Sequence, residues 1–409
     1  MYLMVTHIPI YVDGERYLID MTLQRPLMLA RDWLAASFGG LKLLAPFLPI
    51  SAVSSDAMQL TQVGGNDGIV VVPSFDLRCR AREFWLRHRM RWLADVRREL
   101  REAAVIQTSV VRDMYRPLGF LAHREGIRCN VATVLVGPDM DPNALSRGIK
   151  GRLYCRVFDQ VMKSAASTAD VTLLKEGLVY ERYSRVSRNG KAFCHSMHTF
   201  RDVIDGTRLE ERLRSLEAIR PLRAVYAGRF IARKGLHDAL TAVALARKMG
   251  AIVEFHLFGS GPEEQPLRRQ TATLGIEDVV HFRGVSEYGS SFLADLAAFD
   301  LLLFLPTEED TPRMLYDAMA AGLPLLGSRI PFLTNRVSSD RMGILVDIGD
   351  VAAAARELVA LQSEPESMKT LARASRAAGL RHSSEEWYSR RAEWTQEAIH
   401  RRRARQQLP

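Results

Sequence analysis

The stretch 301-LLLFLPTEEDTPRMLYDAMAAGLPLL-326 decides the fold. Leu301 to Leu305 is an unbroken apolar run of strand length, as expected of a parallel strand covered on both faces. A polar loop, PTEED, follows. Thr311 is a good N-cap and Pro312 suits the first helical position, which predicts a helix from there to Ala321. Gly322 can take the left-handed position beyond that helix and Pro324 prevents its continuation. A second buried strand, Leu323 to Leu326, then closes a strand–helix–strand unit.

In open α/β sheets, ligands sit outside the carboxyl ends of the strands, where helix N-termini offer N–H groups to anions. Glu308, Glu309 and Asp310 lie at that edge. Carboxylates beside an anion site make sense for a ligand that carries hydroxyls as well as phosphates, because they accept strongly from sugar O–H groups. Asp317 lies five residues beyond Pro312, roughly 7–8 Å along a helix. Glu309 and Asp317 can therefore hold two hydroxyl-bearing ends of one ligand. Its phosphates would lie across the helix start, at Thr311, Arg313, Met314 and Leu315.

Glu309, seven residues, then Asp317-Ala-Met-Ala-Ala-Gly resembles the Glu-x7-Glu motif of family 4-type retaining glycosyltransferases, with Asp in place of the second Glu. The resemblance implies that Glu309 holds donor-sugar hydroxyls and Asp317 the nucleotide ribose. Further motifs follow the same family in order. Leu222 to Ala227 reads as a strand leading into Gly228-Arg229 and then Lys234-Gly235, before a helix from Leu236. Cations at a strand-to-helix loop suit phosphate oxygens, Arg as a planar fork and Lys as a point charge, and the spacing is not that of a Walker loop. The family's Gly-Arg…Lys-Gly segment implies that Arg229 and Lys234 bind the donor diphosphate and, with Glu309, carry the catalytic roles. Gly259 and Gly261 stand in the family's next glycine turn, and Arg283 stands where the base is held. Phe332 replaces a Glu common in the family after Pro331.

The implied architecture is α/β: two Rossmann-like domains with parallel sheets facing a central cleft, the GT-B fold, with a C-terminal helix crossing back to the first domain. Residues 1–200, joined by 385–409, would form the acceptor domain, and 201–384 the nucleotide-sugar domain. The implied enzyme is a hexosyltransferase. It would transfer a hexosyl group with retention from a nucleotide-diphosphate sugar to a saccharide or lipid-linked saccharide, in cell-surface polysaccharide synthesis. Cations on the departing diphosphate make a metal unnecessary, and no cofactor is expected. Two rivals differ in what they require: a GT-B nucleotide-sugar epimerase needs no acceptor, and a non-catalytic GT-B-like scaffold needs no turnover.

The first half carries fewer signals. Met1 to Ile8 reads as a strand, Tyr11 to Asp20 as a hairpin turning at Asp13-Gly14, and Leu23 to Ala36 as a helix. Short apolar runs then alternate with helical stretches. The family's glycine-rich loop after the first strand is missing, so acceptor contacts rest on strand-end residues: His7, Asp139 and Asp141. A structural His and ordinary turn chemistry explain the same three residues.

The chain of 409 residues, 47% hydrophobic, suits two globular domains. No apolar run reaches bilayer length and no leader pattern opens it, so a cytoplasmic protein is expected, peripheral at the inner face of the membrane if it meets lipid. Four scattered cysteines read as reduced structural thiols. The formal charge of +9 points to an acidic partner or surface. From Arg78 to Arg101 nine arginines face only Glu83, Asp95 and Glu99. At 100° per residue, Leu86, Met90, Leu93, Val96 and Leu100 share one face and Arg87, Arg91 and Arg98 another. Two readings fit this segment: a domain helix with solvated arginines, or adhesion to an anionic membrane. Nucleic acid is not expected, since no helix-turn-helix, zinc or RNA-recognition pattern is visible.

Overall fold

The computed structural model describes all residues except 53–59, 111–115, 139–147, 195, 218–219 and 407–409. The chain forms two units, Met1–Cys194 with Glu385–Pro409, and His195–Ser384.

The second unit is a six-stranded sheet made of β11 (Leu222–Ala227), β12 (Val253–Phe258), β13 (Val280–Gly284), β14 (Leu301–Phe304), β15 (Leu325–Ser328) and β16 (Gly343–Val346). Its spatial order is β13-β12-β11-β14-β15-β16, and every neighbouring pair is parallel. The order reverses between β11 and β14, which is the switch point where doubly wound sheets open a crevice at their carboxyl ends. All four residues of β14 are buried, which is why this strand reads as an apolar run without alternation.

The helix after β14 departs from the sequence expectation. It spans Met314–Ala320, and neither Thr311 nor Pro312 opens it. The Thr311 N–H is taken by the Asp310 carboxylate at 2.9 Å, and the Leu315 N–H reaches Pro312 O at 3.3 Å, a tight turn ahead of the helix. Asp310, fixed by contacts that no local pattern encodes, adds residues to the loop. Gly322 closes the helix at φ 65°, as expected.

In the first unit β1 (Tyr2–Val5) lies between β4 (Leu41–Pro49) and β7 (Val105–Ser109), and the sheet continues through β8 (Ala132–Val136), β9 (Val171–Lys175) and β10 (Gly190–Phe193). β6 (Ile69–Asp76) also pairs with β4 in parallel. The hairpin β2 (Ile10–Asp13) and β3 (Arg16–Asp20), with β5 (Leu60–Val63), extends the other edge through antiparallel pairs. This sheet is therefore mixed rather than purely parallel. The long helix expected at Leu23 to Ala36 is broken into an α-helix, Met21–Leu29, a π-turn, Ala30–Leu34, and a 3-10 turn, Ala35–Phe38. Pro26 inside the first piece removes a ladder donor.

The C-terminal helix, Ser384–Gln406, is tied into the first unit through its side chains. Tyr388 donates to Pro26 O at 3.2 Å, Arg391 to Gln107 Oε1 at 2.8 Å, and Arg402 to Asp170 Oδ2 at 2.7 Å. Arg391 and Arg402 are thus held by acceptors of the first unit. Among the described residues no helix is long and apolar enough to cross a membrane.

The basic segment also differs from expectation. It is a short α-turn, Ala81–Glu83, a π-turn, Phe84–His88, and a helix, Arg89–Leu100. Its buried arc is centred on Val96 and runs through Trp92, Leu93, Glu99 and Leu100, with Phe84 entering the same core. Leu86 and Met90, assigned to that arc from the sequence, are 74% and 61% exposed. The reason is tertiary. Lys42 draws Glu99 inward, donating to it at 2.8 Å, and this rotates the arc toward Trp92. The extra residue of the π-turn then turns Phe84 inward and Leu86 outward.

Candidate functional site

A cavity of about 580 Å³ opens at the β11/β14 switch point. Each wall comes from a loop that leaves a carboxyl strand end. After β11 the chain runs through Arg229, Arg233 and Lys234 to Gly235, which starts the helix Leu236–Lys248. Gly235 has φ 66°, and a Cβ there would lie 1.6 Å from Leu305 O, so only glycine lets this loop close against the end of β14. The Thr307 N–H bonds to Arg233 O at 3.1 Å and joins the two loops. After β12, Gly259 approaches Gly228 O so closely that a Cβ would sit 1.9 Å from it.

One group of residues at the cavity is cationic. The Arg229 side chain is exposed and forms no ion pair with a described residue. Lys234 donates to Asp310 Oδ2, and Arg233 Nη1 lies 3.2 Å from the same oxygen. Burial pulls the Lys234 pKa below the ordinary lysine range, while the Asp310 carboxylate pulls it back up. Burial likewise raises the pKa of the neighbouring Tyr226 phenol, and the charge of Asp310 adds to that shift. Three charged side chains thus share one nearly dry corner, with Lys234 held over the Phe304 ring at 5.5 Å.

A second group is aromatic and acidic. Phe258, Tyr288 and Phe292 line it, with the two phenylalanine rings edge to face at 5.9 Å. Asp317, buried in the helix after β14, accepts from Tyr288 Oη at 2.9 Å.

Of the residues singled out from sequence, Arg229, Lys234, Gly259, Arg313, Met314 and Asp317 line this cavity. Gly261, Arg283, Glu309, Thr311 and Leu315 are not among its lining residues. Gly261 packs against Phe230 O behind the turn. Glu309 Oε2 faces the Phe332 N–H at 3.5 Å, at the start of the helix Pro331–Asp340. Arg283 turns onto His256, donating to Nδ1 at 3.1 Å. His256, His281 and Glu254 bring possible metal-ligating atoms within 4.8 Å of one another. With Arg283 donating to Nδ1, that nitrogen is the acceptor and the proton of His256 sits on Nε2, 3.6 Å from Glu254. Burial, then His281 and Arg283, lower the His256 pKa to about 4. In the first unit, partly buried His7 follows β1 at the carboxyl edge, while Asp139 and Asp141 lie outside the described residues.

Sequence reasoning missed Arg233, Asp310 as its partner, and Tyr288. Arg233 is the sequence neighbour of Lys234, but nothing local tells that both adjacent cations line the cavity. Tyr288 lies in an irregular segment and meets Asp317 only through the fold.

Comparison with known proteins agrees with this geometry. The family described as glycosyl transferases group 1 matches residues 209–378. The chain is 30% identical over 162 residues to WcaL of Escherichia coli, a candidate colanic acid biosynthesis glycosyltransferase, covering 38% of this chain and 40% of that one. It is 31% identical over 131 residues to the lipopolysaccharide core biosynthesis glycosyltransferase LpsE of Rhizobium meliloti, covering 32% of this chain and 36% of that one. The matched part thus spans 40% or less of the length of either relative. Among solved structures, Anabaena HepE in complex with UDP aligns over 97% of this chain and 99% of its own, with a TM-score of 0.67 and 14% identity. WaaG, a glycosyltransferase involved in lipopolysaccharide biosynthesis, aligns over 96% and 99%, with a TM-score of 0.60 and 14% identity. These likenesses show the fold, two parallel-stranded α/β units of the GT-B type.

Proposed function

We propose, for a chain whose residues 209–378 form a glycosyl transferases group 1 domain, that the protein transfers a hexosyl group with retention from a nucleoside diphosphate sugar to a saccharide or lipid-linked saccharide, in the synthesis of a cell-surface polysaccharide. The observation that carries this reading is the lining of the switch-point cavity, which combines Arg229, Arg233 and Lys234 with Tyr288, Asp317 and Phe292. A diphosphate suits the first group through charge-assisted hydrogen bonds, and a nucleoside suits the second through stacking and hydroxyl contacts. HepE is known with UDP and with UDP-glucose, and WcaL and LpsE are named for colanic acid and lipopolysaccharide core biosynthesis, which supports the same donor class and pathway type.

On this reading Arg229 and Lys234 meet the charge that grows on the departing diphosphate. Glu309, at the start of the neighbouring helix, orients the sugar. The leaving phosphate takes the acceptor proton, so the chain supplies position and charge. Asp317 receives the ribose, and the Tyr288 phenol fixes that shorter carboxylate.

The test is a melting-temperature panel with UDP, GDP, ADP and their hexose conjugates. A ligand at 100 times its dissociation constant stabilises by about 2.7 kcal/mol. One nucleotide series should raise the melting point of the wild type, and Arg229→Ala, at an exposed site, should lose that rise without changing the unliganded melting point. Absence of any shift at millimolar ligand would refute the donor site. Product analysis with donor alone then separates transfer from epimerisation.

A further inference from the structure

Two ridges of apolar side chains stand in solvent on the first unit, both among arginines and lysines. The first is Trp85, Leu86 and Met90, at 38%, 74% and 61% exposure, on the π-turn and the helix start that the shifted arc turned outward. Arg80, Arg82, Arg87 and Arg91 surround it, all exposed and none paired with a described acid. The second ridge is Ile149, Leu153 and Val157, at 78%, 62% and 46% exposure, spaced by four residues along the helix Gly148–Thr168. That helix buries Cys155, Phe158 and Met162, and at 100° per residue the ridge lies 100° or more from Phe158. Lys150, Arg152 and Arg156 flank it.

The topology puts both ridges in one place. Each begins a helix that follows a parallel strand, β6 and β8, so each lies at the carboxyl edge of the sheet. The helix Leu118–Arg128 packs between them, sharing one core with Trp92 and Leu93 and placing Phe120 against the core of the second. Farther along, the cations are already committed. Arg97 bonds to Glu125 at 2.6 Å and Arg98 to Asp95 and Glu99, so Arg98 does not belong to the free face.

We propose that these two ridges form a docking face for an anionic lipid surface, the apolar side chains entering the acyl boundary and the surrounding cations meeting headgroup phosphates. Among the described residues eight cations, the seven named and Arg89, whose guanidinium lies 5.2 Å from the Trp85 ring, frame the ridges with one acid, Glu83, which lies 3.7 Å from His88. A second copy of the chain seated here would oppose like charges. Nucleic acid would leave six aliphatic and aromatic side chains unused. A negatively charged bilayer satisfies both halves at once. This face is built from residues of the first unit alone, and the proposal does not depend on the reading of the cavity in the second.

The experiment is sedimentation with vesicles of phosphatidylglycerol and phosphatidylcholine, against phosphatidylcholine alone, at low and high salt. The wild type should sediment with the anionic vesicles only, and less at high salt. Arg87→Ala and Arg91→Ala should each weaken partitioning roughly fivefold. Leu86→Ser with Met90→Ser, and separately Ile149→Ser with Leu153→Ser, should each weaken it at least about tenfold. These sites are exposed, so unchanged melting points confirm intact folding. The proposal is overturned if the wild type stays in solution with anionic vesicles. It is also overturned if the serine variants bind as the wild type does, or if their only change is loss of a concentration-dependent dimer.

Discussion

Replacing Asp310 with Asn should uncouple stability from shape beside the switch-point cavity. The carboxylate is 8% exposed and accepts from Lys234, from Arg233 and from the Thr311 N–H. Asn keeps the volume and one acceptor but removes the charge, leaving the Lys234 ammonium without its counter-ion. At the 3.2 Å separation of Arg233 from Asp310, an effective dielectric of about 20 makes that attraction alone roughly 5 kcal/mol. Breaking a buried pair by removing one partner costs about 3–5 kcal/mol when measured. For a domain of this size that is a fall of roughly 6–20 °C in melting temperature. The sign with pH follows from Lys234, whose folded pKa is already below its unfolded value. The unfolded state therefore binds more protons, and stability rises as pH climbs toward the unfolded lysine pKa of about 10.4. Loss of Asp310 widens that gap, so the deficit of Asp310→Asn should shrink between pH 7 and pH 10. Calorimetric melts at both pH values, with Lys234→Met and the double variant completing a mutant cycle, measure the coupling. If Asp310→Asn melts within about 2 °C of the wild type at pH 7, the pair is not buried as described and the reasoning fails.

Gly235→Ala and Gly275→Ala share a φ near 65°, but a Cβ at Gly235 meets Leu305 O at 1.6 Å and one at Gly275 meets nothing within 4 Å. Denaturant midpoints should therefore show a loss of about 1 kcal/mol at Gly275 and more than about 3 kcal/mol at Gly235, the difference being the clash. Asp340 joins the helices Pro331–Asp340 and Pro365–Arg381 through His382 and Arg381, each at 2.9 Å. Burial opposes its ionisation, but bonds from His382, Arg381 and Arg336 outweigh that and hold its pKa at about 2, below the ordinary 3.8. Its contribution is present above the unfolded value and lost as pH falls toward the folded one. Unfolding midpoints should drop between about pH 4 and pH 2 in the wild type, and Asp340→Asn should be lower at neutral pH and flatter across that window.

The second unit was legible because its signals are local. A strand buried on both faces needs an unbroken apolar run, as in β14, and a helix end needs a residue that tolerates positive φ, as at Gly322. The same holds for the close approaches that require Gly235 and Gly259. In the first unit the signals compete. Pro26 and two π-turns interrupt helices whose periodicity looked continuous, and an antiparallel hairpin extends a sheet expected to be parallel. Angular assignment failed where one side chain had a distant partner, as Glu99 does in Lys42.

By itself the sequence determined the alternation of strands and helices, the switch-point loops and the cations and carboxylates they carry, because these depend on residues a few positions apart. Only the tertiary structure decided which of those groups meet. It set Lys234 and Arg233 against Asp310, Tyr288 against Asp317 and Glu309 near the Phe332 N–H, and it left Leu86 and Met90 in solvent. Such pairings join residues tens of positions apart, where burial and charge balance outweigh any local preference.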